Sequence, residues 1–282
     1  MPKLYVWDSN VQSQVKSLSI NVNGSWTAVR GGYINDNGVW KKFYPEPIPT
    51  TTYSIPGTYT FTIPAGTYSA NITVAGAGGG AGGNDSAVGH SGYGGNVVTA
   101  TVSVTPGDLF TFFVGAGGQP GGSGQRGTGS GAGGTDPNAN NSPGGRGGNA
   151  GGSGSSGAGG GGGSASTVRL NSTTIVVAAG GGGGGGGGNG PVGLGQGATS
   201  YNSTPKGAAG QDKAGDGGGA GGGGGGYPLG GIGGVCPAGD SGAYSGINGQ
   251  TLAPIGSTTT AGTNGGTSAG IAGANGYVTI AP

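Results

Sequence analysis

The sequence holds few residues that could carry out chemistry. It has one histidine, His90, and one cysteine, Cys236, among 282 residues. A cysteine–histidine pair or a metal site built on several such ligands therefore lacks the residues it needs. The nine acidic residues are scattered and form no close pair of the kind that glycoside hydrolysis uses. We expect no enzymatic activity, no metal site and no cofactor.

Signatures of nucleotide and nucleic-acid binding are equally weak. G-x-G-x-x-G spacings occur, but 81 glycines produce them by chance, and no βαβ pattern surrounds them. Charged residues make up only 7% of the chain and the net charge is +1. A nucleic-acid partner requires a basic surface, so we expect no such partner.

The start of the sequence, MPKLYVWDSN, lacks the apolar core of a signal peptide. The longest stretches of low polarity are glycine runs, and none approaches the length and hydrophobicity of a membrane span. We expect assembly in a cytoplasm and no insertion into a membrane.

Glycine dominates the chain and recurs at a spacing of three. Every third residue from Gly145 to Gly163 is glycine, and so is every third residue from Gly115 to Gly127. A period of three matches the polyproline II geometry, which has three residues per turn and a rise of about 3.1 Å. Such helices can pack side by side if glycine occupies each contacting face. The pattern predicts a bundle of polyglycine II helices, with a flexible linker as the alternative.

The nine consecutive glycines 180–188 follow the apolar run 175–179. Because a helix surrounded on all sides needs glycine at every position, we predict that 180–188 is the central helix of the bundle. Runs of alternating polarity elsewhere predict a β sheet or sandwich, and no segment reads as a convincing α-helix. The predicted strands are 58–63, 68–75, 96–104, 109–114, 167–170, 173–179 and 277–280.

The first 44 residues differ from the rest and contain all three tryptophans. Asn-Gly pairs at 23–24 and 37–38 predict hairpin turns, because a type I′ turn needs two positive φ angles. With a further turn at 31–32, they predict a small antiparallel meander. The proline-rich stretch 45–57 predicts a stiff linker. The expected organisation is a β module at 1–44, this linker, and a glycine-rich domain at 58–282.

Candidate recognition residues follow from where the glycine runs reverse. Strands lead into glycine at 76, 115 and 180, and glycine leads back into strands near 95, 163 and 276. Counting departures and returns places the loops at the end of the bundle away from the strands, here called the far loops, at 84–93, 128–144 and 191–206, with a fourth near 250–260. Loops on a rigid scaffold are common sites of recognition. The candidate receptor-binding residues are Asp85, His90, Tyr93, Asn138, Asn140, Tyr201, Asn202, Leu252 and Ile255. Each tyrosine could equally pack over its own loop.

Two segments carry a resemblance to a known family. Residues 59–66 (YTFTIPAG) and 72–80 (ITVAGAGGG) resemble the opening of glycine-rich domains in bacteriophage tail-fibre and receptor-binding proteins. Residues 175–181 and 276–280 are similar to the later segments of those domains. The resemblance covers 58–282. As in tail-fibre tip adhesins, it implies a polyglycine II bundle with receptor-contacting loops at its distal end.

The N-terminal region carries a second, shorter resemblance to phage proteins. Asn-Gly-x-Trp repeats at 23–26 and 37–40 resemble short modules of phage tail proteins. A related glycine-rich domain occurs in the extracellular part of a vertebrate receptor tyrosine kinase family, so the fold alone does not fix a phage origin. Residues 1–44 also depart from the attachment domain of the tip adhesins.

These observations favour a receptor-binding protein of the virion tail, assembled in the host cytoplasm. It would recognise a bacterial surface protein or glycan through the far loops and join other tail proteins through residues 1–44. The alternative is a structural tail, baseplate or capsid decoration protein that binds no receptor. A homotrimer and a single copy both remain open.

Overall fold

The computed structural model describes residues 5–8, 11–14, 19–22, 24–28, 32–36, 38–44, 48–137, 142–189 and 202–282. Across these ranges the protein is all-β, with two main antiparallel sheets and no α-helix. This confirms the predicted all-β class. The same ranges contain no helix with the length and hydropathy to cross a bilayer.

The N-terminal module consists of three separate two-stranded hairpins. Gly24 and Gly38 adopt φ of 85° in two of the turns, as the Asn-Gly pairs predict. The predicted meander is wrong, because the second and third hairpins are not paired with each other in the part of the module that is described. The expected turn at 31–32 lies partly outside the described residues, and Gly32 itself pairs with Tyr44. The hairpins are β1 (Tyr5–Asp8) with β2 (Val11–Gln14), β3 (Ser19–Val22) with β4 (Ser25–Ala28), and β5 (Gly32–Asp36) with β6 (Val39–Tyr44).

Two antiparallel sheets follow and form a sandwich. The five-stranded sheet has the order β14-β10-β9-β15-β7, and the four-stranded sheet has the order β13-β12-β11-β8. The first comprises β7 (Thr51–Tyr53), β9 (Ser69–Ala75), β10 (Asn96–Ser103), β14 (Thr258–Ala261) and β15 (Tyr277–Ala281). The second comprises β8 (Gly57–Thr62), β11 (Leu109–Val114), β12 (Ser166–Leu170) and β13 (Thr173–Ala178).

Alternating apolar residues from both sheets build the core of the sandwich. On β9, Ile72 and Val74 are fully buried, whereas Asn71 and Thr73 are more exposed. Phe110 and Phe112 of β11 point into the same core and stack with ring centroids 5.6 Å apart. Each such side chain stabilises the fold by roughly 1.5–3 kcal/mol through burial. The periodicity of two read in the sequence therefore reflects one buried face per strand.

The predicted linker 45–57 extends too far. Ile48 is 2% exposed and belongs to the apolar core, and Thr51–Tyr53 pairs with the last strand, β15. Tyr53 also stacks on Tyr59 at 4.6 Å between ring centroids. The folded β layer therefore begins by residue 48. A three-residue strand next to Ile-Pro shows too little alternation for the sequence to predict it.

Glycine-rich segments leave the sandwich and hydrogen-bond to one another through their backbones. The bonds between neighbouring segments recur every third residue. Between two such segments, the amides of Gly118, Gly121 and Gly124 donate to the carbonyls of Gly78, Ala81 and Asn84 at 2.8–3.1 Å. A helix with three residues per turn gives this spacing. The assignment of these segments as polyglycine II stays a prediction.

The segment 180–188 lies at the centre of the bundle. The amides of Gly181, Gly184 and Gly187 donate to segment 77–83, and their carbonyls accept from segment 157–163. A Cβ added at any of the nine glycines would overlap the backbone of an adjacent segment. The side-chain-free run therefore allows close approach from several directions at once. The five hydrogen-bonded neighbours are 77–83, 87–93, 157–163, 219–225 and 243–249.

On the sixth side of the central segment, side chains from residues 245–251 accept the hydrogen bonds that another glycine segment would otherwise accept. The amides of Ala179, Gly182 and Gly185 donate to Thr251 Oγ1, Asn248 Oδ1 and Ser245 Oγ at 3.1–3.2 Å. These three acceptors are also spaced by three residues. They satisfy buried amides that would otherwise be left without a partner, at a cost of about 1–3 kcal/mol each.

Candidate recognition surface

Five reversals of the chain meet at the end of the bundle away from the sandwich, around the last residue of the central segment. We call this surface the tip. Its loops are 84–88, 123–128, 151–156, 213–217 and 236–241, together with Asn189. Neighbouring loops are connected by backbone hydrogen bonds: Gly124 to Asn84, Gln125 to Ser156, and Gly218 to Ser241. Ala87 donates to Gly188 at 3.1 Å, which joins the first loop to the central segment.

Side chains fix the tip loops against each other. Ser86 Oγ donates to Asn189 Oδ1 at 2.9 Å, and Ser123 Oγ accepts from the amide of Asn84 at 2.8 Å. On the other side of the tip, Ser156 Oγ donates to Asp216 Oδ1 at 3.0 Å. The loops are therefore held in defined positions relative to one another.

A partly exposed ion pair lies just behind the tip. Arg146 binds Asp212 with two parallel hydrogen bonds of 2.9 and 3.0 Å. The bonds from Arg146 and from the Asn149 amide lower the pKa of Asp212. The bond to Asp212 in turn raises the pKa of the Arg146 guanidinium. This pair ties the segment that contains residue 146 to the one that contains residue 212.

The single cysteine also lies at the tip. Burial raises the pKa of the Cys236 thiol, and its Sγ lies 3.1 Å from the Gln211 carbonyl oxygen, to which it donates. A thiol held in the protonated form is a poor nucleophile. Over the described part of the chain, His, Cys, Asp and Glu side chains form no group of three or more that could hold a metal ion.

The structure spreads the predicted residues of loop 84–93 along one segment. Asp85 lies in the tip loop 84–88. His90 and Tyr93 lie behind it on the returning segment, where their amides donate to Gly185 and Gly182 of the central segment at 2.8 Å. The Tyr93 side chain is 43% exposed on the flank of the bundle. Only Asp85 of these three therefore belongs to the tip.

The predicted far loop 128–144 is wrong beyond its first residue. The chain already reverses at 124–128, where Gly124 and Gly127 adopt positive φ. It then returns beside 116–122, as the bonds Gly122 to Gly129 and Ala116 to Thr135 show. Ser142 lies at the sandwich end, where its carbonyl accepts from the amide of Ala165, the residue before β12. Asn138 and Asn140 lie outside the described residues.

The C-terminal part of the predicted far loop 191–206 lies at the sandwich end of the bundle, not at the tip. Asn202 donates from its amide to Gly230 at 2.8 Å, and its side chain holds the Lys206 carbonyl at 2.7 Å. This turn lies with the turn at Tyr227–Pro228, at the sandwich end of the bundle, as Tyr227 bonds to Gln250 there. Tyr201 lies outside the described residues.

The predicted fourth loop, 250–260, is also wrong. Leu252 exchanges two backbone hydrogen bonds with Val177 of β13, at 2.9 and 3.0 Å. Thr258–Ala261 is strand β14, an edge strand paired with β10. Leu252 and Ile255 therefore lie beside the sandwich, at the opposite end from Asp85. The sequence did not reveal β14 because all four of its residues are exposed and show no apolar alternation.

Four of the five tip loops were largely missed by the sequence analysis. They have one weak signal in common: two polar or charged residues that lie close together. The pairs are Gln125 and Arg126, Ser153 and Ser155, Lys213 and Asp216, and Asp240 and Ser241. The glycine spacing of three continues unbroken through the first two pairs, so the sequence marks these loops only weakly.

Comparison with known families agrees with the architecture. A family model described as a glycine-rich domain matches residues 51–281. The chain therefore belongs to this family of glycine-rich domains. The match begins at the first residue of β7 and ends at the last residue of β15, so it includes both the sandwich and the bundle. No curated protein matches the chain.

Proposed function

We propose that the protein is a non-enzymatic receptor-binding protein of a bacteriophage tail fibre, and that it recognises a bacterial surface receptor through the tip. The observation that carries the proposal is the gathering of five polar reversals at one end of a bundle whose interior is backbone. The resemblance of residues 58–282 to tail-fibre glycine-rich domains supports it independently.

The bundle suits a stalk that presents loops. Its central segment contributes no side chains and is bonded on all sides, so it cannot adapt to a ligand. The tip loops carry the hydroxyl, amide and charged groups that the interior lacks. Loops on such a scaffold can change their residues without altering the scaffold.

The other end of the molecule suits attachment. Thr51 pairs with Ile280, whereas Tyr53 pairs with Val278, closer to the glycine segments. The chain therefore enters the sandwich from the end away from the bundle. We propose that residues 1–44 join other tail proteins there, and that the protein resides in the virion tail after assembly in the host cytoplasm.

Binding of the purified protein to a panel of bacterial strains tests the proposal. The tip variant combines Val88→Ala, Arg126→Ala and Asp240→Ala, which are exposed residues of three different tip loops. The matched control combines Ile55→Ala and Ile255→Ala, exposed residues of the β layer. We expect the tip variant to lose at least about tenfold in cell binding, or ~1.4 kcal/mol, with an unchanged melting temperature. Equal binding by both variants and the wild type would exclude the tip as the recognition surface.

The continuous hydrogen bonding of the bundle favours one alternative, a rigid structural protein of the tail, baseplate or capsid. Such a protein would assemble into particles but bind none of the strains. Incorporation into virions without any cell binding would select this alternative.

A further inference from the structure

We infer that the tip binds a bacterial surface glycan rather than a folded protein. This inference rests on the proposed function and names the chemical class of the receptor. It depends on three properties of the tip: its lack of large apolar side chains, its fixed hydrogen-bonding groups and its balanced charge.

The tip lacks the anchors that protein interfaces use. Its five loops and Asn189, all within the described residues, contain no tryptophan, tyrosine, phenylalanine, methionine, leucine or isoleucine. The largest exposed apolar side chain among them is Val88, at 66% exposure. Protein interfaces gain most of their affinity from buried aromatic and arginine anchors in a desolvated centre. Of these, the tip offers only Arg126.

Bulky exposed side chains do occur on the protein, but they lie elsewhere. Tyr93 is on the flank of the bundle, and Tyr227 is at its sandwich end. The small polar composition is therefore a property of the tip and not of the whole surface.

The hydrogen-bonding groups of the tip match those of sugars. Serine hydroxyls and asparagine or glutamine amides both donate and accept, as sugar hydroxyls do. The bond from Ser86 to Asn189, and the bond from the Asn84 amide to Ser123 Oγ, fix exposed groups of this kind in place. A rigid array of short donors and acceptors discriminates well between ligands with and without a hydroxyl at a given position.

The charge of the tip is nearly balanced. Two basic residues, Arg126 and Lys213, stand against the three acidic residues Asp85, Asp216 and Asp240. A surface of mixed sign does not concentrate a polyanion, so the matching glycan carries little net charge. Binding should accordingly change by less than about threefold between 50 and 500 mM salt, since charge attraction is what salt screens.

Treated cells of a binding strain provide the test. Periodate cleaves the vicinal diols of surface glycans, and proteinase K removes exposed proteins. We expect periodate to abolish binding of the full chain, proteinase K to leave it intact, and polysaccharide extracted from the same strain to compete. Cells given periodate already quenched with glycerol serve as the control. Loss of binding after proteinase K, or retention after periodate, overturns the inference while leaving receptor binding intact. If no strain binds, the proposed function itself fails.

Single variants within the tip provide a second test. Arg126→Ala and Asp240→Ala remove polar groups, whereas Val88→Ala removes apolar area. For a glycan, we expect each polar variant to weaken binding to the extracted polysaccharide by about five- to tenfold and Val88→Ala to change it by less than twofold. A larger loss in Val88→Ala than in either polar variant would indicate a protein receptor instead.

Discussion

At the scale of single residues, the missing Cβ is the most specific feature of the bundle. A methyl group at Gly184 would overlap the His90 carbonyl oxygen on a neighbouring segment. Both segments are fixed by hydrogen bonds on their other sides, so neither can move away without breaking some of those bonds. We expect Gly184→Ala to destabilise the fold by about 1–3 kcal/mol or more, as overpacking does, measured by thermal or urea unfolding.

Gly152 supplies the matched control for this substitution. It is exposed, has no atom within 4 Å of an added Cβ, and does not adopt a positive φ. Gly152→Ala should change stability by no more than about 0.5 kcal/mol, in the stabilising direction through the unfolded state. Equal melting temperatures for the two variants would contradict the packed arrangement and support a flexible linker.

The ion pair between Arg146 and Asp212 makes a pH-dependent contribution. Because the folded state lowers the pKa of Asp212, its contribution is complete above the unfolded pKa and is lost as the pH falls through the folded pKa. Both side chains are about half exposed, so the contribution is ~0.5–1 kcal/mol. Asp212→Asn should lower the melting temperature at pH 7, and its difference from the wild type should shrink as the pH is lowered toward 2. A constant difference across that range would show that another interaction is responsible.

At the scale of elements, Ile48 and β7 form the start of the folded β layer. A chain that begins at residue 58 lacks Ile48 from the core and the three-residue pairing with β15. A chain that begins at residue 48 keeps both. We expect the 48–282 fragment to be more stable than the 58–282 fragment by about 2–5 kcal/mol, since loss of one buried isoleucine alone costs this order. Identical urea midpoints would show that neither Ile48 nor β7 contributes to stability.

The strands were predictable where one face is buried. The sequence placed β11 at its observed bounds, 109–114, because aromatic and branched apolar residues fill almost all of this short run. β7 and β14 are short edge strands, and β14 buries no side chain, so neither has such a pattern. Strand propensity alone does not define an element of this length.

The tip was less predictable than the strands for a topological reason. The far loops were derived by counting reversals, so one missed reversal assigns the next loop to the wrong end. The turn at 124–128 was missed because its glycines, Gly124 and Gly127, continue the spacing of three. Asp85 was placed correctly because only one reversal separates β9 from β10.

At the scale of the whole molecule, the protein has two interiors of different composition. The sandwich buries phenylalanine, isoleucine and valine side chains between its sheets. The bundle buries peptide groups, and its few buried side chains, such as Ser245 and Ala243, are small. The two interiors meet where β13 leads directly into the central segment.

The backbone interior of the bundle has a calorimetric consequence. Exposing apolar surface raises the heat capacity of unfolding, by about 0.45 cal/mol/K per Å², whereas exposing peptide groups lowers it. Residues 48–282 should therefore unfold with a heat-capacity change below the usual ~12–15 cal/mol/K per residue. A smaller heat-capacity change flattens the curve of stability against temperature, so the fold should lose little stability on cooling toward 0 °C. Differential scanning calorimetry that gives the usual value would show that apolar burial dominates after all.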